Sequence, residues 1–538
     1  RAFDEAGRVT SEVTGANPPA TYSWDGAGRL LASTLPAGGQ TTYRYDLDGR
    51  VTSETVTSST GAWITSHGYD VAHSGRLTGV TFPDGTAEAY TQFDPDDVPR
   101  QWTNRHGQVV SSVVDPANRL RGLTPSGGPA NLATYSLSWD YDDLSRLTRA
   151  EKTGVPASAV VNSYDLGGRP ETTTLGIGAT FTRSHDVWDQ PFRSAITSEL
   201  SGDAAAGVAV LRRDHDALSR PTRSSLDQDG GPDGSGIPGA RLSWSGASNL
   251  ELIATLGPRS FQQTRSYDSP GRTTSFGFVG SRAWGDVGVA YRPDDSYKTG
   301  RVAPSAGLFS GQGWSFTPDV RLRLTSAESS RETFHLSYGA GDELLGHTRD
   351  KQSLLASFSP GPGGRLLSRN GDAFVYNASG DRTEDDRFVY GWSWRGELVS
   401  LEVKGVWPAD GPGEEPRVSP WAGHKLFFDY DALGRLTART HLGVLPSPVD
   451  PDTSRPFISR REVLWDGGTL LAEVEKDAQG AIRWRKTLVP GATGLDDAVQ
   501  MRVEDYGAGN TPARRLYSFV RDEQGSVLGL VDEQAPEP

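Results

Sequence analysis

The chain has 538 residues, of which 35% are hydrophobic; it contains 64 Gly, 34 Pro and no Cys, and its net charge is −14. Disulfide staples and thiolate metal sites are excluded, and an acidic balance argues against nucleic acid as the main partner, because phosphate binding wants a basic surface. No run of apolar residues is long enough for a helical membrane span, and no leader peptide is read at Arg1.

In chain order, one eight-residue unit keeps returning. It begins as Phe3-Asp4-Glu5-Ala6-Gly7-Arg8-Val9-Thr10 and recurs at Trp24-Asp25-Gly26-Ala27-Gly28-Arg29-Leu30 and Tyr45-Asp46-Leu47-Asp48-Gly49-Arg50-Val51-Thr52. Later copies are Tyr267-Asp268-Ser269-Pro270-Gly271-Arg272 and Tyr430-Asp431-Ala432-Leu433-Gly434-Arg435. Fixed-period self-similarity indicates a repeat architecture. Asp suits the first position of a type I turn, and Gly the fourth, where φ is positive. Each unit therefore predicts a chain reversal between two strands. Degraded copies keep the backbone requirement: Asn118, Ser145, Asp189 and Ser219 stand where Gly stands elsewhere.

Successive units lie about 21–24 residues apart near the N-terminus, room for a hairpin of two strands and a return connection. Second turns, such as Leu35-Pro36-Ala37-Gly38-Gly39 and Phe82-Pro83-Asp84-Gly85, fill the intervals. Aromatic pairs precede the turns two residues apart: Tyr22 and Trp24, Tyr43 and Tyr45, Trp139 and Tyr141, Phe428 and Tyr430, Tyr517 and Phe519. That spacing puts each pair on one face of a strand, as ordinary packing or as a sugar-binding ladder. The Arg after the turn Gly, as in Arg29, Arg50, Arg272 and Arg435, reads either as a solvated surface side chain or as a partner for the turn Asp of a neighbouring hairpin.

The pattern loosens in places. Ser224 to Gly239 has loop composition, and Asp227, Asp229 and Asp233 form a weak calcium candidate that lacks the closing Glu of an EF-hand. Residues 276–345 are less regular, with strand-like runs Val287–Tyr291 and Val320–Leu324. Pro-rich loops are expected at Trp407–Trp421 and Leu445–Pro456. The domain reading is 1–275 regular repeats, 276–345 less regular strands of the same sheet, and 346–538 repeats again, running into the start of a further core region.

This pattern resembles the YD-repeat, or Rhs-repeat, family. The stretch Val80-Thr81-Phe82-Pro83-Asp84-Gly85-Thr86 leading to Phe93-Asp94 is similar to that family's strand–PDG–strand–YD unit. Tyr517 to Val527, with Asp522 and Gly525, resembles the element that opens the family's core. The resemblance implies an all-β fold: a long antiparallel meander of hairpins spiralling into a hollow, cocoon-like shell. It also implies a fragment of that shell, ending at Pro538 before the core is closed.

No catalytic constellation is read: H-E-x-x-H, G-x-S-x-G, Walker A and dinucleotide fingerprints are all missing. His185 and His215 stand where other units have an aromatic, so they replace a strand-end Tyr rather than serve as a base. No enzyme and no cofactor are expected. The resemblance implies an encapsulating wall of a polymorphic toxin or toxin complex, with an enclosed C-terminal toxin domain or other shell segments as partners. Secretion or display at a bacterial cell surface follows, with a cytoplasmic stay before export. The alternative is a cell-surface adhesin or carbohydrate-binding protein with surface glycans as partners. A β-propeller is disfavoured, because propeller blades repeat at about 40 residues or more.

Overall fold

A computed structural model describes the chain except for residues 14–18, 36–38, 59–60, 73–74, 187–188, 199–208, 229–236, 246–247, 257, 259–260, 280–282, 292–296, 303–313, 320–322, 330–331, 340–342, 351–355, 363–364, 408–416, 447–453, 492–496, 508–511, 522–525 and 535–538. Among the described residues there are 47 strands and no α-helix. Apart from one small hairpin at Val406–Trp407 and Arg417–Val418, and one break at Phe374, each strand pairs antiparallel with the next in the chain. Ala20–Trp24 pairs with Leu30–Thr34, which pairs with Gln40–Tyr45, which pairs with Val51–Ser58. The result is a meander of 33 strands from Ala2 to Ala373 and a second of 12 strands from Val375 to Asp532. The break falls at Phe374, a buried ring with the Arg382 guanidinium 4.1 Å above it.

The register shifts by one residue just before each repeat turn, at Ser23/Trp24, Arg44/Tyr45, Asp140/Tyr141 and Asp429/Tyr430. This is the bulge expected of a type I turn closed by a left-handed residue. It adds local twist, which a long meander needs in order to curl instead of spreading flat.

Three segments differ from the sequence reading. Ser224–Gln228 and Ile237–Gly239 are strand, not insertion, and Ser224, Leu226 and Ile237 are buried. Gly239 explains the misleading composition. Its φ is +77°, a Cβ there would lie 1.7 Å from the Ser224 carbonyl, and its N–H donates to Gln500 Oε1 at 2.8 Å. In the loop region 407–421, Val406–Trp407 pairs with Arg417–Val418 as a separate two-stranded hairpin. Leu445 and Pro446 pair with Arg455 and Ser454, extending one long hairpin of the sheet. Of the expected run 320–324, residues 320–322 lie outside the described residues; Asp319 N–H donates to Arg323 O at 2.8 Å, and strand begins at Leu324.

The meander returns on itself. Contacts between distant segments keep a nearly constant separation: Lys152 with Glu397 spans 245 residues, Gly239 with Gln500 spans 261, and Arg183 with Asp466 spans 283. Both partners advance together along the chain, so the strip winds as a spiral, and one revolution takes about as many residues as these separations. Three apolar clusters sit on the seam between revolutions. The largest joins Val160, Phe181, Leu211 and Ile237 to Leu464, Leu471, Val474 and Val489. A second joins Phe261, Phe276 and Phe278 to Val520 and Val531, and a third joins Leu137 and Ala150 to Ala432.

Away from the seam, strands alternate between exposed and half-buried positions, as in Ala20–Trp24 and Lys425–Tyr430. The accessible surface is 27915 Å² for 57.8 kDa. A compact monomer of that mass exposes about 19,000 Å². The excess is that of a wall with water on both sides, a hollow shell built from one curled strip.

Candidate functional site: the turn rim and its arginine ladder

The repeat turn is a closed hydrogen-bonded device. In Asp46–Arg50, Gly49 N–H donates to Asp46 O at 3.2 Å, and Asp46 N–H donates to Arg50 O at 3.0 Å. The Asp46 carboxylate faces inward: Oδ1 accepts from the N–H groups of Asp48 and Arg50 at 3.0 and 2.9 Å, and Oδ2 accepts from Arg50 Nε at 2.6 Å. The same set recurs at Asp4, Asp25 and Asp431, with φ of +77°, +85° and +83° at Gly7, Gly28 and Gly434. Around Asp268, Arg272 makes both of its bonds to the carboxylate and Gly271 has φ +89°. Asn118, Ser145, Asp189 and Ser219 also have positive φ, between 60° and 64°.

The sequence expectation for the Arg is corrected here. Each Arg pairs first with the Asp four residues earlier in its own turn, at 2.6–2.7 Å for Arg8, Arg29, Arg50 and Arg272. The bulged turn brings residue i+4 back over residue i, so the nearest carboxylate is internal. The guanidinium then reaches the next repeat through a backbone oxygen: Arg8 Nη1 to Asp25 O at 2.8 Å, Arg29 Nη1 to Asp46 O at 3.2 Å and Arg119 Nη1 to Asp142 O at 2.6 Å. Arg169 is an exception, reaching Asp189 Oδ1 at 2.9 Å.

The aromatic before each Asp completes the link. Arg29 lies 4.7 Å from the Tyr45 ring centre, Arg119 lies 5.2 Å from Tyr141, and Arg146 lies 4.5 Å from Tyr164. The ring's polar end reaches back one repeat: Trp24 Nε1 to Val9 O at 2.8 Å, Tyr45 OH to Leu30 O at 2.7 Å and Tyr430 OH to Leu398 O at 2.9 Å. Arg reaches forward while the ring reaches back, so neighbouring hairpins are held by two opposed bonds around one stack. Tyr22, Tyr43, Trp139 and Phe428, two residues earlier, are half-buried on the same strand faces as Trp24, Tyr45, Tyr141 and Tyr430.

The electrostatics follow from the hydrogen bonds. At Asp4 and Asp25 the N–H of the turn Arg is the largest influence and holds the carboxyl below the ordinary carboxylate range. At Asp46 desolvation is the largest single effect and pushes upward, but the bonds from Arg50 and Asp48 together outweigh it.

Asp227 belongs to the strand Pro221–Gln228, opposite Val210, whereas Asp229 and Asp233 lie outside the described residues. Asp522 and Gly525 also lie outside them. His185 and His215 pair with Pro191 and Pro221 at bulges, in the aromatic position of the unit. Sequence reasoning missed the seam. There Arg105 donates to Asp84 Oδ2 at 2.6 Å and to Ser379 O at 3.1 Å, and Trp394 Nε1 donates to Tyr135 O at 3.0 Å. Ala432, at the tip of a repeat turn, is buried and donates its N–H to Ser158 O at 2.9 Å. The one local signal was Trp394 at a turn tip, where a large apolar side chain has no strand to pack on.

Together these features define a class: an all-β repeat wall whose hairpins are locked in series by an aromatic–Asp–x–x–Gly–Arg turn. The RHS Repeat family model matches residues 3–40 and 24–62, so the chain carries RHS repeats. No curated protein matches it in sequence. The crystal structure of TcdB2-TccC3-TEV is similar to 96% of this chain, with a TM-score of 0.65 at 12% identity, and this chain covers 30% of it. A Photorhabdus luminescens Tc holotoxin pore with a TccC3 mutation gives 0.57 at 12% identity, over 96% of this chain and 29% of that one. TcdB2-TccC3 without its hypervariable C-terminal region gives 0.52 at 13%, over 93% and 30%. At such identities the likeness concerns the fold, and this chain spans less than a third of the length of those proteins.

Proposed function

We propose that this chain is part of the wall of an Rhs-type toxin or toxin-complex component, and that the wall encloses a toxin domain not contained in residues 1–538. The observation that carries this reading is the spiral seam. A strip whose repeat turns dock on the revolution beneath closes the gap between revolutions and bounds an interior that its side chains do not fill. On this reading residues 1–275, 276–345 and 346–538 act as one continuous wall. The role is structural, without catalysis, in an exported bacterial protein whose partners are the cargo and neighbouring wall segments.

A glycan platform is not favoured. Tyr45, Tyr141 and Tyr164 have an Arg over one face, and the polar ends of Trp24, Tyr45 and Tyr430 are committed to backbone carbonyls.

Small-angle X-ray scattering on the chain tests the hollow wall. A solid body of this length has a radius of gyration of about 24 Å, and a markedly larger value with a shell-like distance distribution is expected. Limited proteolysis of the full-length polypeptide tests the cargo. A C-terminal domain that resists protease until the wall is opened by denaturant supports enclosure, and immediate digestion removes it.

A further inference from the structure

The hairpin loop 104–108 of the first revolution carries His106 at its tip. Gly107 has φ +76°, and Asn104 Oδ1 accepts from the His106 and Gln108 N–H groups at 3.1 Å, so the loop is fixed by its own bonds. Its tip enters the seam. There His106 is only 8% exposed, in a cleft of about 50 Å³ lined also by Leu132, Asn377, Thr383, Tyr390 and Trp392. Its Nε2 is buried and has no hydrogen-bond partner among the described residues. The donors around it are committed elsewhere: Asn377 Nδ2 to Asp381 Oδ2 at 2.9 Å, Thr383 Oγ1 to Val375 O at 3.2 Å, Tyr390 OH to Asp385 Oδ2 at 2.7 Å and Trp392 Nε1 to Arg382 O at 2.7 Å.

Two charged groups act on the ring. Asp381 attracts its charged form, and Arg105, beside it in the loop, repels it. Arg105 is itself held by Asp84 and by Ser379 O. Arg382 and Glu384 flank Thr383 and pair with Asp385 and Lys404. The loop 129–133 brings no charge, and the strand Phe388–Trp392 brings only Tyr390. The wall is thin here, because the consecutive strands Asp372–Ala373, Val375–Tyr376 and Arg382–Glu384 have two, two and three residues. Beside the cleft the two revolutions exchange backbone bonds, Ala133 N–H to Trp392 O and Trp394 N–H to Ala133 O, both at 3.0 Å.

We propose that His106 is an acid latch of the seam: neutral, it closes the first revolution onto the second, and protonated, it releases residues 129–133 from 392–394. Histidine is the side chain whose charge ordinarily changes between pH 5 and 8. Burial, the largest influence, holds the His106 pKa below its ordinary value; Asp381 opposes this and Arg105 adds to it. The closed seam therefore binds the proton less readily than the open one, where water hydrates the ring. Closure is complete above about pH 6.5 and weakens as pH falls below it. The opening is local, since strands this short have few ladder bonds to break. The inference does not rest on any cargo inside the wall.

Hydrogen exchange of the full chain at pH 7.5 and 5.5, corrected for the intrinsic exchange rate at each pH, tests it. With an open ring titrating near 6.5, protection at Ala133 and Trp394 is expected to fall by up to about tenfold between the two. Gly239, bonded across the same seam to Gln500, should keep its protection. His106→Gln should abolish the fall, and His441→Gln should leave it intact. Asp381→Asn removes the attraction that eases protonation, so it should deepen the fall, and it decides the matter if His106→Gln is already open at pH 7.5. Unchanged protection in the wild type overturns the proposal. So does an undiminished fall in His106→Gln, or a shallower one in Asp381→Asn.

Discussion

Lys152 and Glu397 form an ion pair across the seam at 3.1 Å, with side chains only 8% and 10% exposed. Tyr135 also donates its hydroxyl to the same Glu397 oxygen, and its ring lies 4.2 Å from the Lys152 ammonium. Burial pulls the Lys152 pKa down, and the Glu397 charge opposes it. Removing one partner leaves the other charge buried and uncompensated. Lys152→Met should therefore cost about 3–5 kcal/mol, read as a lower denaturant midpoint. Lys152→Met combined with Glu397→Gln should recover part of the loss, and the double-mutant cycle measures how much of it is the pair.

The serial lock predicts a smaller, local cost. Tyr45→Phe keeps the ring under Arg29 but deletes the 2.7 Å bond to Leu30 O. One lost hydrogen bond is worth about 0.5–1.5 kcal/mol. Hydrogen exchange should quicken in the hairpins 30–45 while remote strands stay protected.

Three substitutions separate backbone strain from crowding. Ser145 sits at φ 63°, so Ser145→Gly should stabilise by about 0.5–1 kcal/mol. Gly75 has φ +72°, and a Cβ there would lie 1.4 Å from Arg50 Nη1. Gly75→Ala must therefore displace Arg50 from its place 5.1 Å over Tyr69, and should destabilise more than Gly49→Ala, whose Cβ meets nothing closer than 3.5 Å. Thermal melts of the three variants give the order.

Acid should loosen the wall in two stages. His424 Nδ1 and His441 Nε2 lie 2.9 Å apart, and burial first, then the neighbouring His424, hold the His441 pKa below its ordinary value. Arg439 adds to the depression and Glu475 opposes it. The folded state binds its proton less readily than the unfolded chain. This contribution is therefore complete above about pH 6.5 and is lost as pH falls below it. The turn carboxylates are depressed too, so their contribution is lost only below about pH 4. Urea midpoints between pH 7.5 and 5 should fall, and His441→Gln should flatten that slope.

What the sequence made legible was local. Asp, Gly and the left-handed substitutes Asn118 and Ser219 lie within four residues of one another, so their turn could be read without knowing the fold. The Arg partner was misread because its choice depends on a bulge, which pulls Arg29 back onto Asp25 instead of on to Asp46. Gly239 read as loop because composition does not show that a strand needs a bare Cα where two backbones approach. The seam was illegible for a different reason: Lys152 and Glu397 are 245 residues apart, and no local pattern marks either as half of a pair.

That constant separation turns the number of hairpins into a ruler for girth. Excising one whole repeat between Lys152 and Glu397 would spare every neighbour-to-neighbour lock on either side of the cut, yet bring each later turn one loop out of step with the layer beneath. Insertions and deletions there are tolerated by the strip and rejected by the circle it has to close.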